Sequence, residues 1–483
     1  MKQVPSPESD VGAGIDVSVV TYNSAGDIEK LVASLAAQSI DARRLRITFL
    51  DNNSSDDTAQ VLAGLGARTG GVFGGWEVLQ NPRNVGFGAA HNRVLRRGDG
   101  PFVFVLNPDT ELHPECLARL LAVADADDAR VAAWEPRQLP FEHPKRYDPV
   151  TMEAPWCSGA ALMLRRAAFA DVGGFDDRFF MYCEDVDLSW RLRHAGWRLR
   201  YVPSACVRHH TYEIPGQTKP LQYVQTVLGS LRLRTRHGES GNVLRGWRIY
   251  IQCLLAPPEL VGRWALLQAG LRYVADMPHF FRHRTKGHHA CFLGLDFAEH
   301  RRGAFHEVVP YGELRQRPLV SILVRTIGRK AQVRRALRTI LNQTYENVEA
   351  VVVEDGPATL QALVESFADP RIVYVPLGKR RGRCEAGNAA MGTARGKYLG
   401  FLDEDDELFA DHAEQLVACL EEADARVAYA TAFEVPTEWN DRHEITGEGP
   451  GEVVFDRPFT YIELSVRNIT PICAVLFERT LFE

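Results

Sequence analysis

Four groups of residues in this chain have the types and spacing to do chemistry. The first is "LNPDTEL" at Leu106–Leu112, which follows the apolar run "PFVFV" and precedes the helix-like "HPECLARLLAVA". A strand ending on Asn-Pro-Asp sets the Asp109 carboxylate at its carboxyl edge, where open α/β sheets bind ligands. Asn, Pro and Asp are also ordinary turn residues. The second is "RITFLDNNSSD", whose Asp51 ends a strand in the same way and can converge with Asp109 on one ligand. The third is Glu184-Asp185, which opens "EDVDLSWRLRHAG". Acids in a first helical turn suit the positive end of the helix dipole. Leu188 and Leu192 share a face of that helix and Gly196 marks its stop. The approach, "GGFDDRFFMYC", is aromatic and glycine-rich, more like the wall of a site than a surface loop. The fourth is the tandem His209-His210 after the strand-like "WRLRYVPSACVRHH".

The elements that must position these groups occur twice. "DVSVVTYNSAGDIEKLVASLAAQSI" (Asp16–Ile40) and "LVSILVRTIGRKAQVRRALRTILNQTY" (Leu319–Tyr345) each read as a β-branched strand, a polar turn and a helix. Helical spacing puts Ile28, Leu31, Val32 and Leu35 on one face of the first helix, and Val333, Ala336, Leu337 and Ile340 on one face of the second. Val17 to Asp51 and Val320 to Glu354 both span 34 residues. Gly86 to Asn92 matches Gly382 to Asn388 at six, and Asn92 to Asp109 matches Asn388 to Asp405 at 17. Matched order and spacing indicate duplication, with a period of domain size rather than that of a solenoid. Alternating strands and helices predict α/β domains with mostly parallel sheets. The GxGxxG and GxxxxGK[ST] phosphate loops are absent, which argues against a dinucleotide-binding or P-loop protein.

The 483 residues suffice for two or three domains, and 45% hydrophobic with 24% charged residues is ordinary for globular chains. A net charge of -6 argues against a general nucleic-acid binder. Nine cysteines without a CxxC pair suggest reduced thiols in a cytosolic protein. "MKQVPSPESDVGAG" reads as a polar tail rather than a signal peptide, and no apolar run reaches spanning length.

"VSVVTYN", "FLDNNSSDDT", "NVGFGAAHN", "LNPDTEL", "CSGAALMLRR", "GGFDDRFFMYCEDVDLSWRLRHAGW" and "VRHH" follow one another in an order that resembles the family 2 glycosyltransferases of GT-A fold. The likeness is to their rhamnosyltransferase- and galactofuranosyltransferase-like branch and covers about residues 15–210. It implies inverting transfer from a nucleotide sugar to a surface polysaccharide or lipid-linked glycan. dTDP-rhamnose is the leading donor and a UDP-hexose the alternative. It implies Mn²⁺ or Mg²⁺ to neutralise the leaving diphosphate. Asp109 would be its ligand, with Asn107 a weaker oxygen donor where many relatives carry the first Asp of Asp-x-Asp. His209 would complete the metal site; His210 in its place, or a structural role, is the alternative. Asp185 would be the base that deprotonates the acceptor, with Glu184 orienting it or touching the acceptor. Thr21, Tyr22, Asn23 and Asp51 would grip the nucleoside, Asp51 taking the N3–H of uracil or thymine. Gly86, in a glycine run that admits close backbone approach, and Asn92 would complete the donor side. A sugar nucleotidyltransferase would need a glycine-rich basic loop where "TYNSAGD" stands, and a pure binding module would not need the Asp109–Asp185–His209 set.

In the second copy Glu354, Asp355, Asp403 and Asp405 would form the donor and metal face. "AVLFERTLFE" at the end aligns with "ALMLRRAAFA" (Ala161–Ala170), and no Glu-Asp pair or late histidine follows it, so the chain is read as a fragment of a longer protein or its second domain as having lost catalysis. The expected plan is a flexible tail (1–14), a catalytic domain (15–210), a helical connecting segment (211–316) and a second GT-A-like domain, incomplete at its C-terminus (317–483). In the connecting segment Leu260, Trp264, Leu267, Leu271 and Val274 share a helical face. The plain reading packs that face in a bundle. Arg282, His283, Arg284, Lys286, Arg301 and Arg302 nearby also suit a peripheral contact with the inner face of the cytoplasmic membrane. His279, His283, His288, His289 and Cys291 match no closed zinc spacing.

Overall fold

The computed structural model describes residues 14–210, 219–285, 287, 290–301, 310–456 and 458–482. The tail through residue 13, Lys286, His288, His289, Arg302 and Glu483 lie outside the described residues. The chain divides into two compact units, one made of Met1–Tyr147 and Met152–Arg301, the other of Asp148–Thr151 and Arg302–Glu483.

The first unit runs β1 (Ile15–Thr21), α1 (Ile28–Ala36), β2 (Leu45–Asp51), α2 (Thr58–Thr69), β3 (Gly75–Gln80), α3 (Phe87–Leu95), β4 (Phe102–Leu106), β5 (Thr110–Leu112), α4 (Cys116–Ala126), β6 (Val131–Leu139), β7 (Ala161–Arg165), α5 (Arg166–Asp171), α6 (Glu184–His194) and β8 (Arg198–His209). Its eight-stranded sheet has the order β3-β2-β1-β4-β7-β6-β8-β5. The half from β3 to β4 is wholly parallel. β7 then runs antiparallel to both β4 and β6, and β5 antiparallel to β8, while β6 and β8 pair in parallel, so the sheet as a whole is mostly parallel, as expected. β1 and β4 are buried on both faces because helices cover both sides, which their near-continuous apolar sequences require. α1 buries Ile28, Leu31, Val32 and Leu35, the stripe its spacing predicts. On α3, fully buried His91 shares a 2.7 Å hydrogen bond with the Ser18 hydroxyl through Nδ1. Burial pulls its pKa down to about 3, because a buried imidazolium loses hydration.

Three helices complete this unit: α7 (Pro220–His237), α8 (Ser240–Leu255) and α9 (Arg263–Arg282). The face of α9 turned inward is Leu266, Ala269, Gly270, Tyr273 and Phe280. Small Gly270 makes this packing close: a Cβ there would sit 2.2 Å from the Tyr250 hydroxyl. The packed-stripe expectation for Leu260, Trp264, Leu267, Leu271 and Val274 is therefore corrected, since all five are exposed. α9 carries two apolar stripes, and its neighbours cover the one with the small residues. His279 and His283 serve the structure: His279 meets Asp176 at 2.9 Å, and His283 Nδ1 lies 2.9 Å from the His279 carbonyl.

The second unit runs β9 (Val320–Thr326), α10 (Lys330–Leu341), β10 (Val348–Glu354), α11 (Gln361–Glu365), β11 (Ile372–Pro376), α12 (Arg383–Thr393), β12 (Tyr398–Asp403), α13 (His412–Ala423), β13 (Val427–Tyr429), β14 (Ala432–Glu434), β15 (Thr437–Trp439), β16 (Ile445–Glu448), β17 (Glu452–Val454), α14 (Tyr461–Val466) and β18 (Val475–Glu478). Its main sheet, β11-β10-β9-β12-β18-β13, repeats the parallel half of the first and adds two antiparallel strands. α10 buries Val333, Ala336, Leu337 and Ile340 as predicted. The equal 34-residue spacing needs a correction. Thr21 pairs with Asp51 and Thr326 with Glu354, so the second copy's first crossover is two residues shorter and Val17 is not the counterpart of Val320.

Candidate active site

Parallel pairing brings Thr21 and Asp51 side by side at the carboxyl edge of β1 and β2, with Asn107 just past the end of neighbouring β4. Asp51 is 2% exposed and accepts from the Ser54 amide at 3.1 Å and the Ser54 hydroxyl at 2.5 Å. Thr21 is fully buried, and among the described residues its hydroxyl has no hydrogen-bond partner. Asn23 sits at φ +53°, its amide donating to Ser54 Oγ and its Oδ1 accepting from the Ser55 amide. The turn after β1 is thereby laced to the turn after β2. Tyr22 between them is half exposed.

Asn52 carries the next connection. Its side chain donates to Asn84 Oδ1 and the Gly86 carbonyl and accepts from Asn81 and the Val85 amide. Gly86 has φ +89°, and a Cβ there would lie 2.3 Å from the Phe180 carbonyl oxygen, so the glycine is needed for both backbone angle and space. Asn92 faces the same loop from α3: it donates to the Phe175 carbonyl and Asp177 and accepts from the Phe175 amide. Its side chain is committed to fixing the loop that leads into α6.

Asp109 and His209 meet. β5 pairs with β8, and His209 Nε2 lies 3.4 Å from Asp109 Oδ1 and 3.4 Å from Asn107 Nδ2. His209 Nδ1 is 2.9 Å from Gln138 Oε1, at the end of β6. That contact favours a proton on Nδ1 and turns Nε2 toward Asp109, the orientation of metal-binding histidines. Burial pushes the Asp109 carboxyl up, but hydrogen bonding and charge from His209 and the charge of Lys219 outweigh it and hold the acid below its ordinary pKa. His210 instead pairs with Glu111 at 2.7 Å. Among the described residues no three His, Cys, Asp or Glu side chains cluster as a metal cage. Asp109 and His209 offer one oxygen and one nitrogen donor, so a hard divalent ion held there would take its remaining ligands from a bound diphosphate or water.

The Glu-Asp pair is delivered by a strained turn. Tyr182 and Cys183 are consecutive non-glycine residues in the left-handed region, at φ +64° and +70°. Asp185 Oδ2 accepts from the Gly159 amide at 3.0 Å and Oδ1 from the Val186 amide at 2.8 Å. Glu184 Oε2 is buried with no hydrogen-bond partner among the described residues. Burial raises both pKa values. For Glu184 the neighbouring Asp185 charge adds to the rise; for Asp185 the two amides and Lys145 oppose it. The two acids are therefore held differently: two amides favour the charged form of Asp185, whereas Glu184, with a bare buried oxygen and the Asp185 charge beside it, is pushed up further. The residue after Gly159 reaches the other half of the site: the Ala160 carbonyl accepts from the Asn107 amide at 2.8 Å.

Two residues farther on, Asp187 has no exposed side-chain surface and accepts from Arg191 at 2.7 Å and from Arg236 at 2.6 Å, and it pairs with His237 at 3.1 Å. Arg236 also holds Asp176. Arg236 and His237 end α7, so the three-helix segment anchors the start of α6. Sequence reasoning passed over Gln138, Asn52, Gly159, Asp187, Arg236 and His237. The available signal was the basic "RLRTRH" at the end of an otherwise apolar helix.

The corresponding acids of the second unit are engaged differently. Glu354 accepts from the Thr359 and Leu360 amides and from the Tyr374 hydroxyl, and Asp355 from the Arg381 and Gly382 amides. Asp403 is paired with Arg325 at 2.5 Å, while Arg329 lies 3.4 Å from Glu404 and 3.9 Å from half-exposed Asp405.

The sequence profile described as "Glycosyl transferase family 2" matches residues 16–186 and again 321–478, and one described as "Glycosyl transferase family group 2" matches 143–281. The N-acetylglucosaminyl-diphospho-decaprenol L-rhamnosyltransferase of Mycobacterium tuberculosis (strain ATCC 25618 / H37Rv) is 32% identical over 249 residues, 42% of this chain and 78% of that protein. Rhamnosyltransferase WbbL of Escherichia coli (strain K12) is 26% identical over 41% of this chain and 83% of its own length. Among solved structures, the mannosyltransferase PcManGT from Pyrobaculum calidifontis, in complex with GDP-Man and Mn²⁺, is 19% identical with a TM-score of 0.40, over 55% of this chain and 75% of that one.

Proposed function

Because the chain belongs to glycosyl transferase family 2, we propose that its first unit is an inverting transferase that moves rhamnose from dTDP-rhamnose to a surface polysaccharide or lipid-linked glycan. The rhamnosyl part is carried over from the names of two relatives; a UDP-hexose is the alternative donor. The carrying observation is the Glu184–Asp185 pair at the start of α6, where two amides fix the Asp185 carboxylate beside the buried, unpartnered Glu184 oxygen.

In this reading the acceptor hydroxyl gives its proton to Asp185 as its oxygen attacks the anomeric carbon and the sugar–phosphate bond breaks. One displacement inverts the configuration, and no carboxylate nucleophile takes part. Glu184 orients Asp185 or contacts the acceptor. Asp51 accepts the N3–H of the pyrimidine, with Thr21, Tyr22 and Asn23 around the nucleoside. Gly86 lets backbone approach the donor, and Asn92 holds the wall behind it. Asp109 and His209, with Asn107 beside them, would hold Mn²⁺ or Mg²⁺, which when bound supplies positive charge against the leaving diphosphate. The acids of the second unit, Glu354, Asp355, Asp403 and Asp405, are engaged by amides and arginines. That supports a second reading for this unit alone, a non-catalytic nucleotide- or glycan-binding module. Among the described residues no helix is long and apolar enough to cross a membrane, and the proposed setting is peripheral, on the inner face of the cytoplasmic membrane.

The test is donor turnover by the purified chain across dTDP- and UDP-sugars, with Mn²⁺ or Mg²⁺ and with chelator. Asp185→Asn is expected to lower turnover by roughly 10²–10⁴-fold while leaving donor affinity intact. Full activity in that variant overturns the assignment of the base.

A further inference from the structure

The outward stripe of α9 is large. Trp264, Leu267, Leu271 and Val274 are 70%, 41%, 72% and 49% exposed, and Leu260, in the turn before the helix, is 67% exposed. α8 presents a second stripe, since Leu244, Ile251 and Leu255 fall at helical spacing and are also exposed. Water-soluble surfaces scatter such residues; rows of them on two adjoining helices mark a docking face. Arginines border both rows: Arg245 and Arg248 on α8, and Arg263, Arg272 and Arg282 on α9, all exposed. Against them α8 and α9 carry one acid, Asp276, which is turned to Arg178 and Arg232. A cationic rim stands out on a chain of net charge -6. Beside the α9 row a cavity of about 250 Å³ opens between α7 and α9, walled by Leu221, Val224, Leu228, Val261, Ala265 and Ala269.

We propose that α8 and α9 form a membrane-docking face whose apolar rows enter the headgroup–acyl boundary of an anionic bilayer while the arginines meet lipid phosphates. The chemistry is that of interfacial amphipathic helices, apolar burial combined with attraction to anionic headgroups. Arginine suits the rim because its planar guanidinium binds phosphate in two-point fashion. The proposal deepens the peripheral-membrane part of the reading above and rests on it. It names the face that would bring the first unit to a lipid-linked acceptor.

The experiment is flotation of the full chain with phosphatidylcholine vesicles, with and without one-third phosphatidylglycerol. The wild type is expected to float with the anionic vesicles and stay behind with neutral ones. The double variant Trp264→Ser/Leu271→Ser removes two side chains that pack on little, so its melting temperature should stay within about 2 °C of wild type, while the bound fraction falls about tenfold, a difference of about 1.4 kcal/mol. Arg263→Glu/Arg272→Glu should abolish the preference for anionic lipid. Wild-type protein that fails to float, equal binding to both vesicle types, or a double variant that floats like wild type overturns the proposal. So does a lipid-free dimer that the double variant dissolves, since a second copy would then be the occupant. Donor turnover measured without vesicles reads the transferase assignment separately, so the two ideas can fail independently.

Discussion

Replacing Asp187 with Asn tests whether the first helical turn of α6 is held from outside the helix. In the wild type this fully buried carboxylate receives Arg191, Arg236 and His237 at 2.7, 2.6 and 3.1 Å. Burial works against its charge, but the two guanidinium charges and the His237 contact prevail, so its pKa lies below the ordinary 3.8. A depressed carboxylate contributes stability above its unfolded pKa and loses it as pH falls through the folded value. The contribution is therefore complete at pH 7, and the gap between wild type and variant should narrow only below about pH 4. Charge-assisted hydrogen bonds are worth about 1.5–3 kcal/mol each. Not all three are forfeited: Arg236 keeps Asp176, Arg191 keeps the Val172 carbonyl and His237 keeps Thr285. We expect a loss of about 3 kcal/mol, the lower end for breaking a buried ion pair, and a drop in melting temperature of roughly 5 °C for the first unit. Trp190 packs edge-on against His237 with ring centroids 5.2 Å apart, so its fluorescence should follow the transition in urea or heat. In a cycle with Arg236→Met the losses should fall short of additivity by at least about 1 kcal/mol. A loss below about 1 kcal/mol for Asp187→Asn, or full additivity, refutes the clamp.

Other outcomes follow from single residues. Gly86→Ala forces a left-handed alanine and a Cβ 2.3 Å from the Phe180 carbonyl oxygen; calorimetry should record a loss of at least about 2 kcal/mol, and an unchanged melting temperature contradicts the close approach. His91, with its folded pKa down at about 3, leaves the unfolded chain to bind the proton below the ordinary histidine value. Stability should fall by about 2 kcal/mol between pH 7.5 and 5 on its account, and urea titrations of His91→Gln should lack that part of the slope; equal slopes refute it. Gln138→Ala should weaken Mn²⁺ binding by about 10–100-fold, read by titration of free Mn²⁺, whereas unchanged affinity separates Gln138 from the orientation of His209.

Local patterns were the legible part of this molecule. The inward faces of α1 and α10 follow from helical spacing, because those helices carry one apolar stripe each. The carboxyl-edge position of Asp51 follows from a strand that ends on acid, that of Asp109 from the turn that directly follows β4, and the duplication from matched spacings. Periodicity could not say which of two stripes on α9 would find a neighbour; that depended on Gly270 admitting Tyr250. Nor could it pair Gln138 with His209, 71 residues away, or Arg236 with Asp187, 49 away, since nothing local to either residue fixes its partner. In the second unit the sequence displays Asp403 and Arg325 plainly, but only the parallel pairing of β9 with β12 sets them face to face.

The dipeptide Gly159-Ala160 touches both halves of the candidate site, its first amide holding Asp185 and its second carbonyl holding the Asn107 backbone. It acts as a fixed ruler. A side chain on Gly159 would crowd the Phe87 ring at 3.1 Å and touch Asp185 at 3.5 Å. A substitution there therefore acts on both halves of the candidate site at once.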